Sequence, residues 1–161
     1  MDGTGDAFDP AAHLCAPQRW FEDFNVGERY VLPSRTVTSA NFAAFQIVSG
    51  DNHPIHYDIE YCRKRNLGGL LAHGLQIMCF TAAGAGAFPH EVSDSLVAFL
   101  EQSSRFLVGV IDGDTLYPAL QITELTPQRS TGVIVMRATI HNQKRELVLD
   151  GMHKYLVKKR G

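Results

Sequence analysis

The sequence predicts an α+β fold in which an antiparallel β-sheet wraps around one long central α-helix. Three observations predict it. From Leu96 onward the chain is almost wholly strand-like in its alternation of apolar and polar residues. The stretch from Gly74 to Phe88 is apolar on nearly every face, the mark of a helix buried all round. An antiparallel sheet with one apolar face needs a cover, and this stretch is the only segment long and apolar enough to supply it.

The elements follow in order. Residues 1–17 mix Gly, Asp, Ala and Pro without periodicity and read as a flexible N-terminal arm; residues 18–161 read as one domain. Order is expected from Trp20-Phe21, with Phe24 and Val26 packing before a turn at Asn25-Gly27. Arg29 to Val37 reads as a strand that Pro33 confines to an edge or a bulge. Thr38 or Ser39 caps a helix over 40–49, with Phe42, Phe45 and Val48 at helical spacing and Gly50 ending it. Asp51 to Pro54 is irregular because Pro54 disfavours helical geometry at His53. A short helix over 58–65 carries Arg63, Lys64 and Arg65 outward, and a loop leads to the long apolar helix. Within that helix Gly84 and Gly86 cost about 1 kcal/mol each against Ala, which makes sense where another backbone approaches. Strands follow at 96–108, 115–125 and 131–141, and a hairpin turn at 142–145 returns the last strand.

Composition narrows the function classes. The 161 residues are 45% hydrophobic and 20% charged, with a net charge of -2 that offers no basic surface for nucleic acid. Lys158-Lys159-Arg160 is a short, solvated tail. Cys15, Cys62 and Cys79 are odd in number and lack zinc or disulfide spacing, which fits a reducing compartment. No apolar run approaches the ~18 residues of a membrane span, and the acidic, Gly-rich start is unlike a signal peptide. The expectation is a cytoplasmic protein with no nucleic-acid or membrane partner.

The chemistry-bearing residues lie between Ser49 and Gly74. Asp51 and His56, a carboxylate and an imidazole on one irregular loop, could converge on one water so that one takes a proton while the other gives one. Burial beside the helix would move both pKa values toward neutrality. The same spacing also suits a turn-capping Asp and a structural His. Gly74 opens the long helix, where unpaired N–H groups could polarise a carbonyl and the missing Cβ would let a ligand approach; a plain helix start reads equally well. His73 could orient that turn. His53 and His56 are three apart on a loop interrupted by Pro54, not four apart on a helix, so no metal is expected.

The string Ser49-Gly50-Asp51, then His53-Pro54-Ile55-His56-Tyr57-Asp58, Tyr61 and Ala72-His73-Gly74 resembles the motif of the MaoC-like (R)-specific enoyl-CoA hydratases. That motif runs S-G-D-x-N-P-[LIV]-H-x-D, with A-H-G opening the helix of a hot-dog fold. The resemblance extends over roughly residues 20–157, including Phe21-Glu22-Asp23-Phe24 with Gly27 and the turn Gly113-Asp114-Thr115-Leu116. It implies that Asp51 and His56 are the catalytic pair. Gly74, with His73 and His53 beside it, would form the oxyanion and substrate-binding part.

The implied reaction is reversible hydration of a trans-2-enoyl thioester to a 3-hydroxyacyl thioester. CoA or a carrier protein would be part of the substrate, and no separate cofactor is called for. The implied partner is a second copy, as a homodimer or an assembly of dimers. Two departures stand out. His53 occupies a position where the family has Asn, and it either replaces a turn contact or reshapes the acyl pocket. A hydroxyl residue expected to support the Asp falls at Ala82 rather than Thr81. A hydratase for branched or dicarboxylic acyl-CoA, a thioesterase, and a non-catalytic acyl-binding subunit are the alternative readings.

Overall fold

Six antiparallel strands form one sheet in the order β1-β4-β5-β6-β3, with the short β2 also paired to β4. In the computed structural model, which describes residues 8–161, these are β1 (Arg29–Val31), β2 (Arg35–Thr36), β3 (Leu96–Phe106), β4 (Thr115–Pro127), β5 (Thr131–Asn142) and β6 (Leu147–Lys158). Pro33 sits in the gap that divides β1 from β2, since a residue without an N–H cannot continue the ladder. The expected arm lies partly outside the described residues, at 1–7. Its continuation forms a single turn at Pro10–Ala12, and Arg19 then ties the chain down by ion pairs to Glu28 and Glu91.

The sheet's inner face is built by alternation. Along β5, Ile134, Met136, Ala138 and Ile140 are fully buried, and the intervening residues face the other way. Two apolar clusters result. One surrounds Phe88 with Phe24, Leu120 and Met136; the other joins Phe42, Ile77, Phe80 and Leu149 beneath the Asp51–Gly74 region. Val26 does not join Phe24 in the core, because the turn at Gly27 (φ +96°) carries it into solvent.

The helices are shorter than the pattern suggests. Helix α1 (Ser39–Ser49) begins at Thr38, whose N–H donates to Asn41, and ends at Gly50 with φ +70°. Its Phe42 is buried, but Val48 and Ile47 are exposed. Helix α2 (Ile59–Lys64) is capped by Asp58, whose carboxylate accepts from the N–H groups of Glu60 and Tyr61.

The long central helix is replaced by a broken helical segment. Helix α3 covers only Gly74–Met78; single turns follow at Cys79–Thr81 and Ala83–Ala85, and α4 covers Phe88–Glu91. Ala82 (ψ 115°) and Gly86 (ψ −168°) leave helical geometry. Gly84 and Gly86 withhold helix propensity here, and a Cβ on Gly86 would stand 2.6 Å from the Leu32 side chain. What crowds Gly86 is thus the Leu32 side chain and not the neighbouring backbone that the sequence suggests, and Gly84 has open space around it. The segment is not buried all round either: Ile77, Phe80, Ala83 and Phe88 face the sheet, while Leu75 and Cys79 are exposed. No helix among the described residues is long and apolar enough to cross a membrane.

Candidate active site

Asp51, His56 and His73 come together at the mouth of the second cluster, with one ligating atom of each within 4.8 Å of the others. Chain geometry explains the convergence. Gly50 stops α1 and turns the chain, and Asp51 takes up the first free position after it. Its Oδ1 accepts from the His53 N–H at 3.1 Å. Pro54 then opens a single helical turn, Pro54–His56, which swings the His56 ring inward. The His53 ring stays outside. Its Nδ1 accepts from the Ile55 N–H at 3.3 Å and its edge faces Tyr61, so His53 makes a turn contact.

His56 is held by its own backbone surroundings. Its Nδ1 lies 2.5 Å from the Leu71 carbonyl oxygen, which can only accept, so the ring proton sits on Nδ1. Neutral His56 therefore presents an unprotonated Nε2, 3.8 Å from Asp51 Oδ2. That separation is too long for a good direct hydrogen bond and leaves the two atoms free to share a water.

Electrostatics correct the expectation that both groups move toward neutrality. The backbone N–H of His53 holds Asp51 below its ordinary pKa, aided by the neighbouring histidines. Desolvation opposes this, but Asp51 is half open to water and the lowering prevails. His56 is lowered as well, chiefly by burial, with His73 pushing the same way and the Leu71 carbonyl and Asp51 opposing. At neutral pH the pair is thus a carboxylate and a neutral imidazole, two proton acceptors rather than an acid and a base.

His73 is the surprise of the arrangement. It is almost fully buried and stacks on His56, with Phe42 and Phe45 against its other sides. Its Nδ1 lies 3.1 Å from the Gln76 side-chain amide, and its Nε2 lies 3.0 Å from the Tyr57 hydroxyl, which donates to the Phe42 carbonyl oxygen at 3.3 Å. Neither Tyr57 nor Gln76 carries a motif that singles it out. The only sequence hint for Gln76 is a polar residue on an apolar helix, three positions after His73. A metal bound by Asp51, His56 and His73 would have to displace either the Tyr57 hydroxyl or the Gln76 amide from His73, so these side chains suit a hydrogen-bonded network better than a metal.

Gly74 begins α3, and no acceptor for its N–H is found among the described residues. Its bare Cα is covered by the Phe106 ring: a Cβ there would meet Phe106 at 3.2 Å. A cavity of about 220 Å³ adjoins it, lined by Leu71, Ala72, Ile77, Phe106 and Val148. Thr81 does not reach Asp51. Its hydroxyl donates to the Met78 carbonyl at 2.7 Å and lies 3.1 Å from His153 Nε2, so Asp51 relies on the His53 N–H instead.

Comparison with known proteins places this geometry in context. Residues 23–144 match the MaoC like domain family. The chain is 26% identical over 132 residues to a 3-hydroxybutyryl-CoA dehydratase of Methylorubrum extorquens, covering 82% of this chain and 80% of that protein. It is 24% identical over 142 residues to an (R)-specific enoyl-CoA hydratase of Rhodospirillum rubrum, covering 88% and 94%. The solved structure of an Archaeoglobus monoamine oxidase regulatory protein superposes with a TM-score of 0.84 at 26% identity, over 92% of this chain and 99% of that one. With most of its length matched, and with the hot-dog arrangement of sheet and helical segment, the chain belongs to the MaoC-like domain family.

Proposed function

We propose that this protein is a hydro-lyase that reversibly adds water to a trans-2-enoyl-CoA, with Asp51 and His56 as the catalytic pair. The observation that carries the proposal is the His56–Leu71 hydrogen bond, which leaves Nε2 bare and aimed at Asp51 across a water-sized gap. The family supports hydration and dehydration of acyl-CoA thioesters in general terms.

The protonation states suggest how the steps run. A water between Nε2 and Oδ2 loses a proton to the pair as its oxygen bonds to the β-carbon. The π electrons move toward the thioester carbonyl, whose developing negative charge the Gly74 N–H receives. The pair then returns that same proton to the α-carbon. One water is consumed, and its hydroxyl and proton end on neighbouring carbons. Because Asp51 is ionised at rest, a single shuttled proton fits better than a separate acid. Helix α3 is too short for a strong dipole, so the donor is the N–H itself. His73 and His53 support the loop in this scheme, and CoA enters as part of the substrate.

The exposed apolar edge of the sheet favours a homodimer. Strand β3 lies at the sheet's end with Val97, Phe99 and Leu100 about half exposed, an arrangement that invites a second copy. The test of the reaction is to mix the protein with a series of enoyl-CoA thioesters and follow the conjugated absorbance and free thiol separately. Absorbance loss without thiol, abolished in Asp51→Asn, is the expected result. Thiol release would identify a thioesterase, and no change in either signal would sink the assignment.

A further inference from the structure

Beside the Asp51–His56 pair a line of polar groups runs from α3 to α1. The Gln76 amide lies 3.1 Å from His73 Nδ1, His73 Nε2 lies 3.0 Å from the Tyr57 hydroxyl, and that hydroxyl lies 3.3 Å from the Phe42 carbonyl oxygen of α1. The direction of the line follows from its end. A carbonyl oxygen only accepts, so the Tyr57 proton points to Phe42. A Tyr57 lone pair then faces His73, and Nε2 donates to it. Nδ1 is left as an acceptor. The Gln76 amide serves it with its NH2 turned inward, which also gives an acceptor to a buried nitrogen that otherwise has none. The reverse direction leaves that nitrogen and the Phe42 contact both unanswered. Gln76, His73, Tyr57 and Phe42 thus form one chain in which each member donates to the next.

The chain bears on the site through its second member. His73 is only 3% exposed, so its ring nitrogens depend on these partners rather than on water, and the His56 ring stacks on it. Tyr57 directly follows His56 and closes the Pro54–His56 turn, its N–H donating to the Pro54 carbonyl at 3.2 Å. Two consecutive residues therefore grip one ring, His56 on its face and Tyr57 at its Nε2. We propose that Tyr57 is a positioning residue: its hydroxyl fixes the tautomer and plane of His73, and through that ring the aim of His56 Nε2 at Asp51. Without the hydroxyl, His73 holds a buried N–H that has lost its acceptor, and the ring shifts to find another, taking the stacked His56 with it. This inference rests on the reading of Asp51 and His56 as the catalytic pair of a hydro-lyase and adds to that pair a residue that acts through His73.

The test pairs a spectrum with a rate. In protein carrying isotope-labelled histidine, long-range proton–nitrogen NMR reads the tautomer of each ring without any turnover. The natural protein should show His73 protonated on Nε2 and His56 on Nδ1, and Tyr57→Phe should displace the ring-nitrogen signals of both. In the hydration assay Tyr57→Phe should lower kcat about tenfold with KM within about twofold, the signature of a misaimed base. Fluorotyrosine in place of Tyr57 keeps the hydroxyl and should restore both readouts, which separates the hydroxyl's role from any loss of folding. His73 protonated on Nδ1 in the natural protein overturns the proposal, as do His56 signals that stay in place in Tyr57→Phe. A kcat unchanged within about twofold, or a loss confined to KM, overturns it as well. A natural protein with the expected tautomers that hydrates no enoyl-CoA sinks the hydro-lyase reading and leaves the linkage of Tyr57, His73 and His56 standing.

Discussion

His73 lies face to face with His56, ring centroids 3.7 Å apart and planes inclined by 23°. Two imidazoles so close cannot both be protonated without strong repulsion, and His73 is fixed in place by Tyr57 and Gln76. His73 therefore adds to what keeps the residue in front of it neutral. Burial, the largest cause, and the His73 stack both favour neutral His56.

The acid limb of kcat/KM should accordingly fall below the ordinary histidine value of about 6.5, because a lowered pKa keeps Nε2 available to lower pH. His73→Asn removes one of the downward influences and should move the limb upward. A pH profile of both proteins checks this; a limb that stays in place would show that the stack has no electrostatic role.

Asp51→Asn and His56→Ala should each lower turnover by ~10²-fold or more, the effect of removing a positioned proton acceptor. Steady-state rates, with thermal melts to show that the variants fold, decide the matter. His53→Asn should leave the rate nearly unchanged, since the His53 ring makes a turn contact outside the pocket and an Asn can accept the same Ile55 N–H.

Stability should depend on pH through His153. This ring is buried between Thr81 and Tyr155, and burial pushes its pKa down to about 4. The folded protein holds it neutral, whereas the unfolded chain binds a proton below about 6.5. Stability contributed by this group is thus complete above that pH and declines as pH falls toward 4, by roughly 3 kcal/mol at most. Melting temperatures of the natural protein and His153→Gln between pH 7 and 4.5 test it: the variant should show the flatter profile.

Gly151 lies opposite Ser104 in the β3–β6 pairing, and a Cβ there would fall on the Ser103 carbonyl oxygen. Gly151→Ala should destabilise the protein by about 1–3 kcal/mol, as overpacking against rigid backbone does. Denaturant unfolding measures it. Leu100→Glu, on the same edge strand, should instead leave folding intact and separate the copies of the proposed homodimer, as read by light scattering.

What the sequence reveals about this site depends on distance along the chain. Asp51 and His56 sit five residues apart on one loop, and a stop at Gly50 with a turn at Pro54 is enough to aim them. Gln76, Tyr57 and the Leu71 carbonyl act through contacts between separate segments, which no local pattern encodes. The strands were legible because alternation survives in β5 almost unbroken. The interruption of the segment after Met78 was not, because an apolar run has the same composition whether it forms one helix or several turns. Gly84 and Gly86 gave a hint, and the side chain that leaves no room for a Cβ at Gly86 is Leu32, more than fifty residues earlier.

Leu71 is bound from both sides by one short stretch of chain: its N–H donates to the Ile55 carbonyl at 3.1 Å, and its own carbonyl accepts from His56. The loop that carries the base and the segment that leads into Gly74 are therefore stitched at Leu71, in addition to the Tyr57 and His56 contacts with His73. Any excursion that carried His56 away would also loosen the backbone ahead of Gly74, so the two halves of the site open and close as one cooperative unit. The amide hydrogen of Leu71 becomes a reporter of that unit. Its exchange rate with deuterated solvent should track the opening of the whole site, in the absence of any substrate.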